Sequence, residues 1–299
     1  MDARALGATR ARREGRHLMS EMRHLSRGDA RSAAHATTTS LAPWRLPALV
    51  TLAVLSIGPL LLLVVQSFAT AWRWPSLWPE ALSTDAWRAV GAGALGRATL
   101  TSLVLATATA LTATSLALPI GRALATLPRP WTHVAAALAF LPVAAPPIAL
   151  GAGLQVLALQ LGVGGSALGV WLAHCVPAAG YATLLFAGVF GARDAHDEEA
   201  ARTLGAGRVQ VWRLVLLPQL RGAVREALAV GFLVSWAQVA LTLVIGGGAV
   251  RALPIEVLAL VRAGQERDAA VGALLLVLPA MLALSALRGS GSRTDAVVA

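Results

Sequence analysis

A run of 63 residues, Pro130 to Ala192, contains no Asp, Glu, Lys or Arg. A membrane-spanning helix needs about 20 mostly apolar residues, because the hydrocarbon layer is about 30 Å thick and each residue adds about 1.5 Å of helix. The run is too long for one such helix and has the length of two, with Gly162, Gly164 and Gly165 at the turn between them. We therefore expect a helical membrane protein.

Four other uncharged stretches complete the expected bundle. Six spans are predicted, at residues 46–68, 98–121, 133–157, 168–191, 227–248 and 269–287. Composition agrees, since 57% of the chain is hydrophobic, only 13% is charged and the mean hydropathy is +0.67. These values exclude an ordinary soluble enzyme and a disordered protein. The predicted fold class is an all-α, polytopic membrane bundle of six transmembrane helices.

The chain lacks several residues that common cofactor and metal sites require. It contains no Lys, so it has neither the lysine of a phosphate-binding loop nor a Schiff-base lysine. Its only cysteine is Cys175, so a multi-cysteine zinc or iron–sulfur site is excluded. We predict a subunit without catalytic residues, cofactor or metal of its own.

The arginines predict the orientation of the bundle. With the amino terminus inside, 19 arginines fall on the cytoplasmic side and six fall on the outer side. Arginine is concentrated in cytoplasmic segments of membrane proteins, so both termini are predicted to be cytoplasmic. This distribution argues against nucleic acid as the partner of a chain with net charge +10. Residues 1–45 are predicted to be a disordered, Arg-rich cytoplasmic tail, 46–288 the membrane domain, and 289–299 a second tail.

The longest predicted cytoplasmic loop, residues 193–226, carries the most informative pattern. Asp194 can cap a short helix that has three acidic residues in its first turn, and Gly205 can end it. A second stretch places Val211, Leu214 and Val215 on one face until Pro218 stops it. Such a helix pair could lie on the lipid surface with its arginines toward anionic headgroups, or could form a docking surface for a soluble partner.

The spacing of this loop resembles the EAA loop of ABC importer permeases of type I, the binding-protein-dependent inner-membrane components. The matching residues are Glu199, Ala200, Ala201, Gly205, Val215, Leu217 and Pro218. The resemblance extends over about residues 99–287. The SWAQ, IGGG and ALP segments are similar to the permeases for polyamines, ferric iron, thiamine and sulfate. Gln238 stands where polyamine permeases often have an acidic residue, which disfavours a polycation as the substrate.

This resemblance implies a pore-forming permease subunit in the bacterial plasma membrane that imports a small solute. Its EAA loop would be a coupling helix that seats in an ATP-hydrolysing subunit, with Glu199 as an ionic contact and Gly205 as a hinge. The implied partners are two copies of the ATPase, a second permease copy or homologue, a soluble substrate-binding protein, and membrane lipid.

Candidate pathway residues lie in the fifth predicted span. Ser235, Gln238 and Thr242 recur at intervals of three and four, so they share one helical face. The alternative is that they are polar contacts between packed helices. His174 beside Cys175 is likewise better explained by packing than by catalysis. A secondary transporter and an intramembrane enzyme are the competing functions, but the predicted spans contain no Asp, Glu or Arg of the kind that marks proton relays.

Overall fold

The computed structural model describes residues 45–72, 75–194 and 196–291, which are predominantly helical. The predicted all-α membrane fold is confirmed. Residues 1–44 and 292–299, which hold most of the two predicted tails, lie outside the described residues. The chain divides into two compact units, Met1–Pro59 and Leu60–Ala299. Within residues 45–59 of the first unit, large apolar side chains such as Leu52 and Leu55 are exposed, as suits a helix that faces lipid.

The elements follow one another in a simple order. The chain begins with α1 (Arg45–Phe68), a small antiparallel pair β1 (Ala69–Ala71) and β2 (Ala81–Leu82), and a short α2 (Asp85–Val90). The next helices are α3 (Ala94–Thr126), α4 (Arg129–Ala144), α5 (Pro147–Gln160), α6 (Ala167–Ala192) and α7 (His196–Thr203). After α7 come α8 (Arg208–Gln210), a π-helical segment π1 (Val211–Leu216), α9 (Leu217–Trp236), α10 (Ala240–Gly246), α11 (Leu253–Arg262) and α12 (Glu266–Gly291).

Small residues let α3 pack closely against α6 and α9, which makes these three helices the centre of the second unit. Ala106, Ala113 and Ala117 of α3 are fully buried. A methyl group placed on Gly121 would come within 2.5 Å of the Phe186 Cβ, so the α3 and α6 backbones nearly touch at this point. A methyl group on Gly231 of α9 would lie 3.1 Å from the Ala110 Cα on α3.

Two of the predicted spans are broken rather than continuous. Within 133–157, α4 and α5 meet at 100°. Pro146 and Pro147 cause this break, because a residue before proline avoids the helical conformation and Ala145 is extended, with ψ 137°. Within 227–248, α9 and α10 meet at 59°. The sequence predicted a single span in each case.

Among the described residues, three helices are long and apolar enough to cross a membrane: α1 from Pro47, α3 and α6. Each bent pair adds one candidate span if its two arms cross together, which gives five. The predicted sixth span, 269–287, falls within α12. The count of six therefore stays a prediction.

The prediction that Pro218 ends the second loop helix is wrong. The helix continues from Arg208 to Trp236, and Pro218 lies in the first turn of α9. The preceding turn is π-helical, and its wider winding accommodates a proline that lacks an N–H. The winding also changes which face is buried: Val211 and Leu216, five residues apart, are buried, whereas Leu214 is 73% exposed. Leu214 therefore does not share the buried face that the sequence predicted.

Candidate functional site

The loop between α6 and α9 begins with a well-capped helix. The Asp194 Oδ1 accepts a hydrogen bond of 3.1 Å from the His196 N–H. Three acidic residues follow in the first turn of α7, where their negative charge interacts favourably with the positive end of the helix dipole. Gly205, two residues after the end of α7, has a φ of +86°. This left-handed conformation lets the Ala206 N–H bond the Ala201 carbonyl, and it is the reason that a glycine is needed here.

Glu198, in the first turn of α7, is the buried charge of the loop. Its side chain is 11% exposed, and its two oxygens contact three arginines. The Oε2 lies 2.7 Å from the Arg122 Nη2 and 3.6 Å from the Arg202 Nη2, and the Oε1 lies 3.1 Å from the Arg193 Nη1. Arg122 belongs to α3 and Arg193 follows α6, so one carboxylate ties the loop to the two most extensively packed helices. We call Glu198, Arg122, Arg193 and Arg202 the Glu198 cluster.

Arg122 is fixed by aromatic rings as well as by Glu198. Its guanidinium carbon lies 5.0 Å from the centre of the Trp212 ring and 5.9 Å from that of Phe190. Both distances allow a cation–π interaction. Since Trp212 belongs to π1 and Phe190 to α6, Arg122 holds both halves of the loop against the end of the bundle.

The residues that carry the resemblance are mostly on the outer surface of the loop. Glu199, Ala200 and Gly205 are exposed, and so are Leu217 and Pro218 on the second half. Ala201 and Val215 are half-buried, and Ala201 packs against the core that Val211, Leu216 and Leu220 form. The loop therefore buries one face, whereas Glu199 and Leu204 are exposed.

Sequence reasoning missed the role of Glu198. Glu198 and Glu199 are adjacent, and adjacent helical side chains point about 100° apart, so only one of the pair could face the bundle. That rule was available from the sequence. What the sequence did not supply was the partner, because Arg122 lies 76 positions away and its charge was used only to predict the orientation of the bundle.

The predicted pathway residues lie apart from this loop. Ser235 and Thr242 are buried, and both bind the buried His174 of α6. The His174 Nδ1 lies 2.8 Å from the Ser235 Oγ, and its Nε2 lies 3.0 Å from the Thr242 Oγ1. Ser235 belongs to α9 and Thr242 to α10, so the ring bridges the two arms of the broken fifth span. The side chain of Gln238 lies outside this cluster and is half-buried.

The protons of the histidine cluster follow from its hydrogen bonds. The Thr242 hydroxyl donates to the Gln238 carbonyl at 2.7 Å, so its oxygen must accept from the His174 Nε2–H. A neutral imidazole has one donor and one acceptor, which leaves Nδ1 to accept from the Ser235 hydroxyl. With a neutral histidine, each of these hydrogen bonds has one donor and one acceptor. This arrangement agrees with the alternative interpretation of Ser235 and Thr242 as polar contacts between packed helices.

Comparisons with known proteins give the family. Residues 117–289 match the family model for the binding-protein-dependent transport system inner membrane component, which covers more than half of the chain. A comparison with curated proteins finds no match. Among solved structures, one similar chain belongs to a bacterial ABC transporter involved in the import of the acidic polysaccharide alginate. It is 16% identical, with a TM-score of 0.63 over 82% of this chain and 94% of that chain, and it shows the fold.

The chain belongs to the family of binding-protein-dependent transport system inner membrane components. It is a permease subunit of an ABC importer and a multi-pass protein of the plasma membrane, as the sequence predicted. The permeases of this family are non-catalytic subunits.

Proposed function

We propose that α7 and the turn at Gly205 are the surface on which an ATP-hydrolysing subunit docks. One observation carries this proposal: α7 is anchored to the bundle through Glu198 while its neighbour Glu199 is exposed. An exposed carboxylate can form a charge-assisted hydrogen bond with a basic side chain of a partner. The exposed Leu204, at 88%, offers an apolar contact on the same loop.

This anchoring offers a direct mechanical connection. Movement of α7 by the closing ATPase would act on α3 through Arg122 and on the end of α6 through Arg193. These are the helices with the closest mutual packing, so a displacement at the loop would move them together. In this proposal Glu199 makes the contact with the ATPase and the Glu198 cluster transmits it.

The remaining partners follow from the family. We propose that two permease subunits, identical or homologous, and two ATPase subunits form the importer, and that a soluble binding protein delivers a small solute to the outer side. Of the three predicted pathway residues, Gln238 is the strongest candidate, because the hydroxyls of Ser235 and Thr242 already bind His174. The narrower similarity to the permeases for polyamines, ferric iron, thiamine and sulfate remains a prediction.

Reversing the charge of Glu199 tests the docking proposal. With Glu199→Arg, we expect the ATPase to be lost when the tagged permease is purified in mild detergent, because a basic partner would face a like charge. Glu226→Arg is the matched control, since Glu226 is also exposed and belongs to α9. Mass spectrometry of the co-purified proteins gives the result. Equal recovery of the ATPase from the Glu199→Arg and Glu226→Arg variants would disprove the proposal.

Gly205 is expected to act through its backbone conformation. A Cβ at this position would meet no atom within 4 Å, so its φ of +86° alone opposes a side chain. A left-handed conformation costs a branched residue about 1–2 kcal/mol, whereas asparagine adopts it more readily. We therefore expect Gly205→Val to uncouple ATP hydrolysis from transport and Gly205→Asn to stay close to wild type, as measured in proteoliposomes.

Gly222→Val is the control for this comparison. Gly222 lies inside α9, has ordinary helical geometry and has no neighbour within 4 Å of an added Cβ. Uncoupling by Asn as severe as that by Val would mean that the position requires the absence of a side chain rather than a left-handed backbone.

A further inference from the structure

A cavity of about 580 Å³ lies on the inner face of the loop, between α7, the start of π1 and the end of α3. Its side chains are mainly cationic and aromatic: Arg122, Arg202, Arg208 and Trp212 contribute to the wall, beside Gly207. Glu199, on the same helix as Arg202, is exposed and is not part of the cavity wall. The side chain that we assign to the contact with the ATPase therefore lies outside the cavity.

The charge around this cavity is not balanced. Glu198 is the one carboxylate in contact with Arg122, Arg193 and Arg202 in the part of the chain that the structure describes. Arg208 is exposed and forms no ion pair within that part of the chain. The Nη1 of Arg122 is buried and has no hydrogen-bond partner there. The site thus has an excess of positive charge and an unused donor, and it would be stabilised by an anion.

The surroundings of the cavity indicate which anion. Arg122 lies one turn before the cytoplasmic end of α3, at the expected boundary between hydrocarbon and headgroups. The adjoining loop exposes Val209 at 68% and Leu214 at 73%. Basic pockets between membrane helices on the cytoplasmic side commonly bind anionic headgroups, and exposed apolar residues nearby suit the acyl chains.

We propose that this arginine cavity binds the phosphate of an anionic phospholipid from the inner leaflet. The inference rests on the proposed function only for its cytoplasmic orientation. A bound headgroup would offer oxygens to Arg208 and Arg202, and it would hold the loop at the membrane while Glu199 faces the ATPase. The lipid would thereby stabilise the docking geometry without contacting the ATPase itself.

Native mass spectrometry of the detergent-purified importer tests the proposal. We compare retention of added phosphatidylglycerol with that of phosphatidylcholine in the wild type, Arg208→Gln and Arg208→Glu. One arginine near a membrane surface contributes about 1 kcal/mol, so we expect about a five-fold loss of affinity for phosphatidylglycerol with Gln and a larger loss with Glu. Phosphatidylcholine binding is expected to be weak and unchanged.

Arg213→Gln and Arg213→Glu are the matched controls, because Arg213 is exposed on π1 and is not part of the cavity wall. Equal losses from Arg208 and Arg213 variants would overturn the proposal, as would equal retention of the two lipids by the wild type. Displacement of phosphatidylglycerol by millimolar inorganic phosphate would reassign the site to a soluble anion. Recovery of the ATPase is scored in the same samples: its absence from wild type contradicts the docking proposal, and its loss only with Arg208 variants reassigns the cavity to the ATPase.

Discussion

Replacing Glu198 by glutamine is expected to release α7 from the bundle and to abolish coupled transport. The substitution preserves size but leaves Arg122, Arg193 and Arg202 without their carboxylate. Removing one partner of a buried ion pair costs about 3–5 kcal/mol, and the partial exposure of these arginines places the expected cost near the lower value. Because the cluster joins α7 to two membrane helices, most of this cost should fall on the loop.

Hydrogen exchange of α7 in the detergent-purified importer measures the release directly. We expect α7 amides to exchange much faster in Glu198→Gln than in the wild type, while α3 and α6 retain their protection. ATP hydrolysis and substrate uptake in proteoliposomes report the loss of coupling.

Glu199→Gln is the matched control for this prediction, since it neutralises the adjacent but exposed carboxylate. It should leave α7 as protected as in the wild type while weakening ATPase binding. If Glu198→Gln retained wild-type protection of α7, the cluster would not be the anchor that we describe.

Adding one methyl group at Gly121 is expected to destabilise the contact between α3 and α6. The new Cβ would lie 2.5 Å from the Phe186 Cβ and 3.0 Å from the Thr183 carbonyl oxygen and the Ala187 nitrogen. Two of these atoms belong to the α6 backbone, so the helices would have to separate. Overpacking of this kind typically costs about 1–3 kcal/mol, and we expect Gly121→Ala to be near the upper end.

The same change, glycine to alanine, is expected to have the opposite effect on stability at Gly188. Gly188 lies on α6, and an added Cβ there would meet no atom within 4 Å. Alanine is the better helix former by up to about 1 kcal/mol, so Gly188→Ala should stabilise slightly or have no effect. Apparent melting temperatures in one detergent compare the two variants. A similar melting temperature for Gly121→Ala and the wild type would mean that α3 and α6 can separate at little cost.

The lengths of the uncharged segments were sufficient to predict most of the helical architecture. It identified the segments that became α1, α3 and α6, because a lipid-exposed backbone must be helical. Local rules were equally reliable at the start of the loop, where Asp194 caps α7 and acidic residues fill its first turn. These features depend only on residues close together in the chain.

Features that depend on distant partners could not be predicted. The role of the Glu198 carboxylate depends on Arg122, and the roles of the Ser235 and Thr242 hydroxyls depend on His174. These partners are separated by 61 to 76 positions in the chain. The sequence showed that these hydroxyls share one helical face, but it did not show which residues that face contacts. The π-helical turn before Pro218 was missed because helical periodicity assumes 3.6 residues per turn.

The bridge from His174 to both arms of the broken fifth span has a consequence for how the pore could move. The His174 ring accepts a hydrogen bond from Ser235 of α9 and donates one to Thr242 of α10, across a 59° bend. These two bonds favour one angle between α9 and α10. Hydrogen bonds between membrane helices are worth about 0.6 kcal/mol on average. A single thermal or ATP-driven step is therefore sufficient to break one of the two hydrogen bonds. We therefore expect the His174 bridge to favour one angle between α9 and α10 without preventing α10 from moving.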